Sequence, residues 1–147
     1  MTKLTLISVF TFLLVGCNYS NRNAEKVVFE EVKSNITFYK QKPPKNGKPV
    51  TQLQALYRGK LVSKNNCLLL ESQGYYYNPI WPHDVSLSIA NGTLAVIKQN
   101  KVLLKLNNKI KIGGGEIGIR EDLLKEYKVP SKCQYKFWLV GEMLDQS

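Results

Sequence analysis

The chain has 147 residues, 44% of them apolar and 22% charged, with 10 Gly and 6 Pro. That balance fits one small globular domain and excludes a disordered tail, a coiled coil and a multi-pass membrane protein. Lys and Arg outnumber Asp and Glu by 21 to 11, and one His with three Cys leaves little material for acid–base, nucleophilic or metal chemistry, so neither a metal nor a cofactor is expected.

Met1-Thr2-Lys3 is a short positive start, and Leu4 to Gly16 follows without a charge. At about 1.5 Å per residue that stretch reaches roughly 20 Å, short of the roughly 30 Å hydrocarbon core, so it reads as a signal peptide. It ends in Leu14-Val15-Gly16-Cys17, followed by the polar run Asn18-Tyr19-Ser20-Asn21. This tetrapeptide resembles the lipobox of bacterial lipoproteins. The resemblance implies cleavage before Cys17, a diacylglycerol on its thiol and acylation of the new amino terminus. At about 0.8 kcal/mol per buried methylene, two or three acyl chains hold a protein stably to a membrane. Asn18, where inner-membrane retention calls for Asp, resembles an outer-membrane destination facing the periplasm. The outer face of the cytoplasmic membrane is the alternative.

Two cysteines remain, Cys67 and Cys133. In an oxidising compartment an even pair points to a disulfide. Closing that loop contributes about 4 kcal/mol on the chain-entropy model. No C-x-x-C occurs, and two lone thiolates with one distant His make a poor zinc set.

Asn18 to Lys26 reads as a tether. Val27–Phe29 and Ile36–Tyr39 are candidate strands of one early hairpin, and Lys40–Pro49 is a basic linker whose Pro-Pro pair excludes helix or central strand. The division is therefore a signal peptide over 1–16, lipidated Cys and tether over 17–52, and a compact β domain over 53–147.

Within the domain, Leu56–Val62 and Cys67–Glu71 flank the turn cluster Ser63-Lys64-Asn65-Asn66, and Asn78-Pro79 is expected to end a strand begun at Tyr75. Val85, Leu87 and Ile89 alternate with serines, and Asn91-Gly92 supplies a type I′ turn. That turn opposes Ile89 to Leu94 and Leu87 to Val96. Three-residue loops at Gln99-Asn100-Lys101 and Asn107-Asn108-Lys109 then oppose Val96 to Leu104, Leu106 to Ile110 and Leu104 to Ile112. The resulting four-stranded meander turns Val85, Leu87, Ile89, Leu94, Val96, Val102, Leu104, Leu106, Ile110 and Ile112 inward. A short helix follows over Glu121–Tyr127, and a last strand runs over Gln134–Met143. The fold class is mostly β: a small OB-like Greek-key barrel or meander with one short α-helix.

The series Gly59-Lys60-Leu61-Val62, Cys67-Leu68-Leu69-Leu70, Ile80-Trp81-Pro82, Asn91-Gly92-Thr93, Ile112-Gly113-Gly114-Gly115-Glu116, Val129-Pro130-Ser131-Lys132-Cys133 and Phe137-Trp138-Leu139-Val140-Gly141 resembles a group of small exported bacterial proteins. The likeness spans roughly residues 55 to 143. It implies a minimal β domain with one disulfide and carries no catalytic residues.

Gly113-x-Gly115-x-x-Gly118 matches a dinucleotide fingerprint in letters only, because no second βα unit follows. A glycine-dependent loop at a sheet corner accounts for it. His83 lies beside Asp84, but adjacent strand residues point to opposite faces, so Asp84 is badly placed to orient it and a surface turn is the expectation. Tyr75, Tyr77 and Trp81 are candidates for a stacking platform for sugar rings or bases. Lys105 and Lys111 fall opposite each other in the meander register, with Lys101 and Lys109 beside them. The four make either a solvated face or a contact for an anionic surface, with nucleic acid disfavoured for an exported chain.

These readings converge on a membrane-anchored, non-catalytic binding or scaffolding module of the envelope. Its expected partners are the membrane, through acyl chains, and an anionic lipid, envelope glycan or envelope protein. A periplasmic enzyme or enzyme inhibitor without a recognisable motif is the alternative. From the lipobox-like run, Cys17→Ser is expected to abolish acyl labelling and to release the protein from membranes or block its processing. Membrane fractionation with a labelled fatty acid checks this, and an unlabelled wild-type protein would overturn it.

Overall fold

The computed structural model describes residues 27–44 and 54–143. The expected signal peptide, Cys17 and residues 45–53 lie outside them. In chain order the elements are β1 (Phe29–Glu30), β2 (Tyr39–Lys40), β3 (Ala55–Lys64), β4 (Cys67–Ser72), β5 (Tyr75–Trp81), β6 (Ser86–Ala90), β7 (Thr93–Lys98), β8 (Lys101–Lys105), β9 (Lys109–Gly118), α1 (Glu121–Glu126) and β10 (Lys136–Met143), with a 3-10 turn at Ser131–Cys133 before the last strand.

Five of the strands close on themselves. β3 pairs antiparallel with β4 and with β9, β4 with β5, and β9 with β10. A parallel pairing of β10 with β5, Lys136 opposite Tyr77 through Leu139 opposite Ile80, completes the ring. The result is a small OB-like Greek-key barrel. The expected strand end at Asn78-Pro79 does not occur, since β5 runs on to Trp81. The β4 pairing stops at Tyr77, so Pro79 meets no β4 partner that would need its missing N–H.

Tight turns set the registers. Asn65-Asn66, Gln73-Gly74, Asn91-Gly92 and Gln99-Asn100 each place two successive residues at positive φ, the type I′ geometry that matches strand twist. β6 and β7 pair as the sequence predicts, Ile89 opposite Leu94 and Leu87 opposite Val96. The next hairpin reaches the predicted Val96–Leu104 pair by another route. Its loop has two residues, so Lys98 faces Lys101, and a bulge at Leu103 then restores the face. Val102 precedes the bulge, so it packs outward with Ala95 and Ile97 instead of inward.

The predicted β8–β9 hairpin is not formed. The Asn107 amide donates to the Leu61 carbonyl at 2.7 Å, and the chain crosses to the barrel, where Ile112 lies opposite Tyr57 and Lys111 opposite Arg58. The meander therefore has three strands, with β1 added at the β6 edge. Leu104, Ile110 and Ile112 still share one core, because the small sheet packs its inner face against the barrel interior of Tyr57, Leu61, Leu68, Leu70, Trp81, Trp138 and Val140.

The predicted early hairpin is absent as well. β1 pairs with β6 and β2 pairs with β5, so Val27–Phe29 and Ile36–Tyr39 serve different sheets. Phe38 stacks on Trp81 at 5.8 Å between centroids, and the Gln41 amide donates to the Trp81 carbonyl at 2.7 Å. The expected start of the compact part near Leu53 is too late, because these residues fill gaps that the barrel strands leave open.

The predicted glycine loop is part of β9, which bends there to pair with β3 on one edge and β10 on the other. At Gly114, φ is +147°, and a Cβ would overlap the Leu139 carbonyl oxygen. Glycine is needed for close approach of backbones rather than for a turn.

Cys67–Leu70 are all buried, so β4 is covered on both faces. Leu68 and Leu70 point into the barrel. Cys67 and Leu69 face a second cluster with Ile80, Phe137 and Tyr39, against which Leu123, Leu124 and Tyr127 of the α1 segment pack. The Cys67–Cys133 disulfide ties this layer down, with Cα atoms 5.7 Å apart. Replacing both cysteines by serine is expected to lower unfolding stability by about 4 kcal/mol, read from urea midpoints. Stability within about 1 kcal/mol of the oxidised wild type would refute the clamp.

Candidate functional site

In small barrels of this topology the face of the second and third strands, with the loops joining strands one to two and four to five, commonly receives ligands. Those parts are here β4, β5, the Asn65-Asn66 turn and the segment between β9 and β10. That segment lies across the β4–β5 face, and the disulfide links it to the start of β4 beside the turn. Apolar side chains of the chain itself occupy the face.

The outer face of β3 and β9 stays open. Alternation turns Tyr57 and Leu61 inward and Arg58, Lys60 and Lys64 outward along β3. Lys109 and Lys111 alternate with buried Ile110 and Ile112 along β9. The register sets Arg58 opposite Lys111 and Lys60 opposite Lys109. All are exposed, and among the described residues none of these four is ion-paired. Like charges directly opposite each other cost some tenths of a kcal/mol per pair.

The expected Lys105–Lys111 pair does not exist. Lys105 lies opposite Ala95, and Lys101 opposite Lys98, on the other sheet. The four predicted lysines divide into Lys109 and Lys111 on the barrel and Lys101 and Lys105 on the meander. Arg58, Lys60 and Lys64 complete the barrel stripe. Their alternation with Tyr57 and Leu61 is visible in the sequence, but the strand that pairs with them is not.

Beside the stripe lies an open groove of about 450 Å³. Val62 and half-buried Tyr76 supply its apolar lining, and Lys60, Lys64, Asn107 and Glu71 its polar one. The Lys64 ammonium sits 4.6 Å from the centre of the Tyr76 ring, a cation–π contact. Glu71 accepts a hydrogen bond from the Gly74 amide at 3.1 Å and stands opposite Lys60 across the strands.

The predicted aromatic platform is divided. Trp81 is fully buried and stacks on Phe38, whereas Tyr75 is 68% exposed at the other end of β5, about 20 Å away at the ordinary strand rise. Tyr77 instead joins Tyr57 and Trp138, with ring centroids 5.3 to 6.1 Å apart. These rings belong to the core that the barrel shares with the meander. Lys136 and Glu116 flank Tyr77 as an ion pair at 2.7 Å. Burial, and secondarily the Glu116 carboxylate, push the Tyr77 phenol above its ordinary value. Burial raises Tyr57 as well.

Asp84 turns to Lys98, at 2.6 Å, and not to His83, which is exposed. The hydrogen bond from Lys98 holds its carboxyl below the usual range. Among the described residues no three His, Cys, Asp or Glu side chains gather at metal-binding distances. No protein-family model, curated protein or solved structure matches the chain.

The Tyr57 hydroxyl is buried without a hydrogen-bond partner and lies over Gly59, where the missing side chain leaves room for the ring. A buried unpaired hydroxyl costs roughly 1–3 kcal/mol. Tyr57→Phe keeps the ring and removes that cost, so stability should hold or rise by about 1 kcal/mol in thermal and urea unfolding. A loss of more than about 1 kcal/mol would show that the hydroxyl is bonded in solution.

Proposed function

We propose that this chain is an exported, lipid-anchored module of the bacterial envelope that works by binding, and that it holds the β3–β9 face against an anionic envelope component. The observation that carries the reading is the exposed cationic stripe of Arg58, Lys60, Lys109 and Lys111, set in opposed like-charge pairs. A polyanion that neutralises those pairs removes their mutual repulsion, so binding and fold relief act together.

Three further features support the reading. The lipobox-like run ending at Cys17 supplies an anchor that confines the domain near the envelope, where weak electrostatic contacts become effective. The disulfide fits an oxidising compartment. The formal charge is +10 for the whole chain, of which residues 1–16 hold only Lys3, so the processed protein keeps a strong positive excess that favours acidic partners.

The test uses the unlipidated chain from Asn18 onward, which contains every described residue, and co-sedimentation with isolated cell-envelope fragments. Each lysine near an anionic surface contributes about 1 kcal/mol, so neutralising two costs about 30-fold and reversing them costs more. Arg58→Glu with Lys111→Glu is expected to weaken co-sedimentation at least 30-fold at low salt, and added salt is expected to weaken the wild type. Lys101→Glu with Lys105→Glu, on the other sheet, should leave most of it. Equal losses in both double variants, or none in the first, would overturn the reading.

A further inference from the structure

We infer that the groove beside the cationic stripe is a binding site for an acidic polysaccharide, with one uronic-acid-like ring in the groove and the chain continuing along β3. This deepens the proposed function and rests on it, since it names which anionic component the face receives.

The chemistry of the groove separates a sugar acid from a phosphate. Lys60 and Lys64 stand two strand steps apart on the outer face of β3, about 14 Å along the backbone at the ordinary rise, with Val62 between them. Their side chains offer donors to a carboxylate. A phosphate group or lipid headgroup would be served equally well by those two lysines. Glu71 distinguishes the cases. Its carboxylate lines the same groove, where it opposes a ligand made only of anionic oxygens and accepts hydrogen bonds from hydroxyls. A uronic acid brings both: a carboxylate for the lysines and ring hydroxyls for Glu71.

Shape and polarity agree. The groove is open and about 450 Å³, room for one sugar ring that keeps part of its surface in solvent. Val62 and the part of Tyr76 that the Lys64 ammonium leaves uncovered give apolar contact for the C–H groups of a pyranose, and the Asn107 side-chain amide adds a donor and an acceptor. Tyr76 is held on one side by Tyr135, with centroids 5.7 Å apart, and by Lys64, so its position is set before a ligand arrives. Past Lys60 the opposed pairs continue with Lys109, Arg58 and Lys111, at steps of about 7 Å along each strand. That row accommodates the further carboxylates of a linear polymer.

The experiment uses the full lipidated protein in nanodiscs of neutral lipid, titrated with hexagalacturonate, the neutral hexasaccharide maltohexaose, and linear polyphosphate. Hexagalacturonate should bind at least tenfold more tightly than maltohexaose and more tightly than polyphosphate. Lys60→Gln with Lys64→Gln should weaken it at least tenfold, while Lys101→Gln with Lys105→Gln leaves it within twofold. Glu71→Gln retains an oxygen for the Gly74 amide and removes the charge. It should raise polyphosphate affinity several-fold while hexagalacturonate affinity stays level or falls. Polyphosphate binding best to the wild type, with no response to Glu71→Gln, would overturn the inference. So would a failure of the Lys60/Lys64 variant to weaken hexagalacturonate. Nanodiscs containing phosphatidylglycerol form the last arm. If they occlude the stripe from a soluble polyanion while hexagalacturonate never binds in neutral discs, the partner is lipid phosphate and the inference fails. Charge-dependent co-sedimentation with envelope fragments would still stand in that case, so loss of this inference is distinguishable from loss of the reading beneath it.

Discussion

The parallel contact between β5 and β10 joins segments far apart in the chain, and everything else in the molecule is arranged around the closure it makes. Parallel strands cannot be joined by a tight turn, so the chain must travel between them. The meander and β9, then α1 and the 3-10 turn, are that journey. Asn78 marks the junction. It is fully buried on β5, and its amide donates to the carbonyls of Cys133 at 2.7 Å and Tyr135 at 3.2 Å, just before β10 begins. The disulfide holds the same approach from the β4 side. A hydrogen-bonded amide and a covalent bridge thus fix where the last strand enters, and Phe137, Trp138 and Val140 then divide between the outer layer and the barrel core.

Closure has a consequence for where binding can occur. Covering the β4–β5 face with Leu123, Leu124, Tyr127 and Val129 buries the apolar surface of Leu69, Ile80 and Phe137, which stabilises a domain of this size. It also fills the face that such barrels commonly leave for ligands. The β3–β9 side, where outward positions hold cations, and the groove at its β4 border stay accessible. The proposed function and its extension to a sugar acid both follow from which faces the chain spends on its own packing.

Much of the fold was legible because alternation and turn chemistry are local. Val85, Leu87 and Ile89 followed by Asn91-Gly92 specify a hairpin whose register the structure keeps to the residue. The errors share a cause. Leu104, Ile110 and Ile112 face one core from different sheets, so their spacing defines a face without defining a neighbour. The bulge at Leu103 compensates for a shorter loop, and two changes that cancel leave the downstream pattern unaltered. Pro79 read as a strand end, yet a pairing that stops before it removes the objection. Of the candidate site, Lys109 and Lys111 were found and Arg58 and Lys60 were not, because their pairing depends on a contact across some fifty residues of chain.

The sequence by itself determined most of the strand faces, the type I′ turn at Asn91-Gly92, the pairing of Cys67 with Cys133 and an excess of positive charge. Each of those is set by residues near one another in the chain, or by counting. Tertiary structure alone decided which strands are neighbours, that residues 27–44 belong to both sheets, and that Trp81 lies in the core while Tyr75 stays exposed. It also decided that the opposed cations lie on β3 and β9 rather than on β8 and β9. The reason is physical. Alternation states that a side chain must be buried, and many partners satisfy that demand equally. Only closure of the barrel, through the parallel pairing of β5 with β10, selects among them.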